Sequence, residues 1–77
     1  MIPNDIKHGT KFYYVFPDGL SIKEWYFDRW LGKQMVYVVE KLGHQVDRQR
    51  CFLTRADAVK HAVKILKDKI AELESRI

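Results

Sequence analysis

From Thr54 to Ile77, apolar side chains recur at alternating spacings of three and four: Ala56, Val59, Val63, Leu66, Ile70, Leu73 and Ile77. That is the period of a heptad a/d seam, and it predicts one amphipathic helix over 54–77. Neither Gly nor Pro interrupts it. Thr54 and Asp57 stand where a helix wants a capping hydroxyl and a first-turn acid. Upstream the pattern changes to dense aromatic and β-branched runs. Phe12, Tyr13, Tyr14, Val15 and Phe16 predict a strand over 10–16, and Pro17-Asp18-Gly19 predicts the turn that ends it. Met35 to Lys41, with Val36, Tyr37, Val38 and Val39, predicts another strand, and Gly43 the next turn.

Two stretches are less decided. Residues 20–31 hold a capping pair, Ser21 and Glu24, that suits a short helix ending at Gly32. The same stretch holds Ile22, Trp25, Tyr26, Phe27 and Trp30, types that favour strands, and strand is the better fit between two neighbouring strands. Gln45 to Leu53 is polar and alternates poorly, and is read as one short edge strand guarded by Arg48 and Arg50, with Val46, Phe52 and Leu53 turned to the core. The whole is an α+β fold in one domain, 1–77. An irregular lead-in (1–9) precedes an antiparallel meander of three to four strands (10–53), with a curled, SH3-like form as one option, and then the long C-terminal helix (54–77).

Two surfaces follow from this pattern. The aromatics exceed what one face of a small sheet needs, so Tyr13, Trp25, Trp30 and Tyr37 are candidate partner anchors on the face away from the helix; the competing reading closes them into a second core. The helix outruns the sheet it covers. Its first half, Ala56 to Leu66, is expected to pack on the strands, while Ile70, Leu73 and Ile77 extend past the sheet edge and form a candidate homodimer seam.

A formal net charge of +4 adds an acidic partner to the picture, either nucleic acid or an acidic protein surface. For nucleic acid the candidate residues are Lys60, Lys64 and Lys67 on one helix flank, with Arg48 and Arg50 just before it. Asp57 and Asp68 dilute that stripe, and a solvated mixed-charge flank is the commoner cause of such a pattern. The single cysteine, Cys51, excludes an internal disulfide framework and suits a reducing compartment. No run is long or apolar enough for a membrane span, and the first residues lack a signal-peptide pattern, so a cytoplasmic setting is expected.

Catalytic chemistry finds little footing. His8, His44 and His61 have no acid or cysteine at metal-ligand spacing, and His61 at an outer heptad position between lysines is expected in solvent. Cys51 has no recognisable base and is expected as a small buried thiol. The carboxylates do not pair for acid/base work, and there is no Gly-rich phosphate loop. The expectation is a non-enzymatic protein with no metal and no cofactor.

The strand Tyr37-Val38-Val39, a polar loop, and then Cys51-Phe52-Leu53-Thr54-Arg55-Ala56-Asp57-Ala58 resemble the strand and F-x-T-x-x-x-A helix start of small phage and mobile-element proteins. The likeness covers about twenty residues. It implies a curled meander with a C-terminal helix and a phage or mobile-element neighbourhood more than an activity, and it carries over no functional residue; an accessory or inhibitor role toward a host protein is the expectation for such a chain. The sequence thus favours a protein-interaction module that dimerises through its helix, with a small basic nucleic-acid binder as the alternative.

Overall fold

The computed structural model describes residues 2–38 and 45–76, with Tyr37 placed by its backbone alone. The expected end of the third strand at Val39 to Lys41, the turn at Gly43, and Ile77 lie outside the described residues.

Among the described residues, five strands and one long helix follow in chain order: β1 (Lys11–Val15), β2 (Ile22–Leu31), β3 (Met35–Val38), β4 (Gln45–Asp47), a 3-10 turn (Arg48–Arg50), β5 (Cys51–Phe52) and α1 (Arg55–Glu74). They form one antiparallel sheet in the order β4-β3-β2-β1-β5. Residues 20–31 therefore form a strand, from Ile22 onward, rather than a short helix. The stretch expected as one edge strand is two, and they sit on opposite edges of the sheet. The joint between them fixes the shape. Four strand spacings put the edges of a flat sheet about 19 Å apart, whereas a three-residue 3-10 turn rises only about 6 Å. The sheet has to curl, and it does so without closing: β4 and β5 remain its two edges.

Curling makes a concave face, and the aromatics fill it. Phe12, Tyr14, Trp25, Phe27, Val36, Val38, Val46 and Cys51 are buried together, with Ile2 among them. Trp25 stacks on Tyr14 at 5.0 Å between centroids, and Phe16 meets both rings edge-on. A register shift between Phe27 and Arg29 inserts Asp28 as an extra residue opposite β3. Simple alternation would set Trp30 on the face opposite Trp25 and Phe27; the bulge brings it round to pack edge-on against Phe27 at 5.4 Å. The surplus of aromatics is this second core, and Trp25 is buried in it rather than offered to a partner.

The convex face carries α1 on β1 and β5. Thr54 caps the helix, its hydroxyl accepting from the Asp57 amide at 3.2 Å. Ala58 and Ala62 are buried against Val15, with Tyr13, Ile22, Phe52 and Ile65 around them. The β1–β2 turn comes very close here. Gly19, at φ 73°, lies where a Cβ would stand 3.0 Å from Ile65 Cγ2 and 3.2 Å from the Ala62 carbonyl, so the backbone favours glycine and any side chain would also have to push these neighbours aside by a few tenths of an ångström. The first half of the heptad seam, Ala56 to Leu66, is expected on the sheet, yet Ala56, Val59 and Val63 are exposed and Leu66 is only half-buried. The helix turns small residues to the strands instead, because Ala58 and Ala62 let its backbone approach the bulky β1 side chains. Leu53, expected in the core, is exposed at the joint before the helix.

Candidate functional site

Seating the helix on Ala58, Ala62 and Ile65 leaves most of the heptad seam exposed among the described residues. Val59, Val63 and Leu66 each follow one of these sheet-facing residues in sequence, so the seam lies about 100° round the helix from the line that packs. Its exposed members are Val59 (41%), Val63 (42%), Ile70 (55%) and Leu73 (60%), with Ala56 exposed at its start and Leu66 half-buried in its middle. The helix runs about 30 Å, and its contact with the rest of the chain reaches Lys69, whose Nζ donates to the Asp18 carbonyl at 3.0 Å. Every residue from Lys67 to Arg76 is exposed. The chain is accordingly elongated, 46 × 23 × 20 Å.

Ile70 and Leu73 of the expected dimer seam are thus in solvent, as the sequence suggested, but they continue a stripe that begins near Val59. Beside its first half lies a shallow groove of about 430 Å³ lined by Val59, Lys60, Val63, Lys64, Lys67 and Asp68. Among the described residues, the ion pair on this helix joins Arg76 to Glu72, and no carboxylate lies within ion-pair distance of Lys60, Lys64 or Lys67.

The other expected site residues scatter. Tyr13 is half-buried on the helix side of the sheet, where its ring packs with the Ala58 and Ala62 cluster and lies under the Lys11 ammonium at 5.7 Å. Trp30 is half-buried, with the Arg48 guanidinium over its ring at 4.8 Å. Tyr37 pairs through its backbone with Arg29 and Gln45. A four-residue aromatic docking face is therefore not assembled.

Arg48 also leaves the expected basic flank. Its Nη1 donates to Asn4 Oδ1 at 2.7 Å, and its Nη2 to the Ile2 carbonyl at 2.9 Å. These bonds hold the lead-in against the sheet and keep Ile2 in the core. A cleft of about 500 Å³ lined by Asn4, Trp30, Gly32, Lys33, Gln34 and Arg48 opens beside this staple.

Arg50 remains near the helix, where it acts on His61. That imidazole is not free in solvent as expected: it tilts against Phe52 at 5.0 Å. Burial first, then the charges of Arg50 and Lys64, hold its pKa below the ordinary value. Cys51 is fully buried, its Sγ donating to the Asp47 carbonyl at 3.4 Å. Burial, with Asp47 adding to it, pushes the thiol up to about 12. A thiol held neutral and out of reach is no nucleophile.

Among the described residues no three His, Cys, Asp or Glu side chains gather to hold a metal, and no helix is long and apolar enough to cross a membrane. Comparison with family models, curated proteins and solved structures gave no match.

Proposed function

We propose that this chain is a non-enzymatic protein-interaction module whose working surface is the outer face of α1. The observation that carries the reading is the division of labour on the helix. One line of side chains, Ala58, Ala62 and Ile65, covers the sheet, and a second, Val59, Val63, Ile70 and Leu73, keeps heptad spacing and stays exposed among the described residues. Four half-exposed aliphatic residues on one stripe are a surface that water penalises. Such a surface suits an accessory or inhibitor protein of the phage type acting on a host protein.

Magnitude limits what a second copy contributes. In a seam confined to the distal turns, Ile70 and Leu73 of both copies bury their exposed halves, which is worth on the order of 3–6 kcal/mol, while association costs about 4–15 kcal/mol in lost freedom. Self-association through the distal turns at Ile70 and Leu73 is therefore weak. Nucleic-acid binding, the alternative, retains only Lys60, Lys64, Lys67 and Arg50, because Arg48 is committed to the lead-in.

The test is a double variant, Val63→Lys with Ile70→Lys. An accessible working surface predicts an unchanged melting temperature, together with loss of any self-association seen by light scattering at high concentration. A large fall in melting temperature shows that the stripe is covered within the chain and ends the reading.

A further inference from the structure

Resting on that reading, we infer that the proximal half of the stripe receives an amphipathic helix from another protein, with an apolar ridge flanked by acidic residues. Val59 and Val63 supply the apolar part of the groove's lining, and beside them Lys60, Lys64 and Lys67 outnumber the single acid, Asp68. None of the three lysines has an ion-paired carboxylate among the described residues. A ridge of large aliphatic side chains at i, i+3, i+4 and i+7 matches such a lining, and glutamates beside the ridge match the lysines.

A second copy of this chain fits the same place poorly. In the heptad frame Lys60, Lys67 and Glu74 occupy e positions, and Arg55, Ala62 and Lys69 occupy g. A parallel pair sets Arg55 against the partner's Lys60, leaves Lys67 opposite Ala62, and gains only Lys69 with Glu74. Lys69 already donates to the Asp18 carbonyl. An antiparallel pair centred on the groove sets Lys60 against Lys67. The parallel register thus sets one repulsive contact against one attractive one, and the antiparallel register crowds positive charge along the seam. Nucleic acid suits the lysines but leaves the valines unused, since an aliphatic side chain offers no ring on which a base stacks.

The experiment is fluorescence anisotropy on the full chain with a labelled synthetic helix carrying Leu on its ridge and Glu on its flanks. Its control has Lys in place of every Glu. The acidic peptide binds and the basic one does not. Reversing the flank with Lys60→Glu, Lys64→Glu and Lys67→Glu weakens the acidic peptide at least tenfold and admits the basic one; the corresponding Gln variant, gentler on folding, gives an intermediate loss. Equal binding of both peptides, or no binding of either, overturns the proposal. So does a single-stranded DNA oligonucleotide that binds through these lysines while the acidic peptide does not. If the peptides fail while the double-lysine variant keeps its melting temperature, the exposed working surface stands and only its occupant falls.

Discussion

Ala62 and Val63 are neighbours in sequence, and the packing of α1 gives them opposite fates. Ala62 is 7% exposed against Val15 and the β1–β2 turn, while Val63 is 42% exposed. Ala62→Leu inserts bulk where the Gly19 turn already touches the helix. Overpacking of this kind costs about 1–3 kcal/mol. In a domain of this size each kcal/mol moves the melting temperature by about 4–8 °C, so the expected fall is between about 4 and 24 °C. Val63→Lys removes an exposed branched side chain and adds a better helix former, and should change stability by no more than about 0.5 kcal/mol. Thermal unfolding followed by circular dichroism reads both. The opposite ranking, with Val63→Lys unfolding the protein and Ala62→Leu tolerated, would show that the heptad seam faces the sheet and refute the helix orientation.

Two further substitutions probe the ends of the sheet. Arg48→Met removes the bonds to Asn4 and Ile2 and the cation over Trp30; it should lower the urea midpoint by the equivalent of about 1–3 kcal/mol, and Arg48→Lys, lacking the planar fork, should not restore it. His61 takes up its proton at lower pH in the folded chain than in the unfolded one. Around pH 6 the unfolded state therefore holds more protons, and the stability contributed by the neutral ring is lost as pH falls through the ordinary histidine value toward the lowered one. Melting temperatures between about pH 7.5 and pH 5.5 should show this slope, and His61→Gln should flatten it; an unchanged slope would contradict the placement of His61 against Phe52.

Much of the architecture is legible where local signals and tertiary packing agree. The aromatic run of β1, the Pro17-Asp18-Gly19 turn and the Thr54 cap all fall where the pattern sets them. Two things are hidden from it. Strands of two and three residues, β5 and β4, carry no period, so a polar stretch containing both reads as one edge. The bulge at Asp28 moves Trp30 to the side of Trp25 and Phe27, which no alternation count reveals. The helix is legible in its length and not in its facing. Hydropathy favours Val, Leu and Ile over Ala, yet close approach to β1 favours the alanines, and the larger residues are left outside. The candidate surface is therefore half visible in the sequence: the heptad pattern points to its distal residues Ile70 and Leu73, and assigns Val59 and Val63 to the sheet that the alanines in fact cover.

The central claim, an open apolar stripe on α1, is tested most directly by thiol labelling of Val63→Cys in dilute protein. Cys51, buried and with its thiol pushed up to about 12, supplies a silent background. The new thiol is expected to react at nearly the rate of an unfolded reference while Cys51 stays unmodified until the protein is denatured. A new thiol that stays protected at every dilution would show that the stripe is covered within the chain, and would contradict the account.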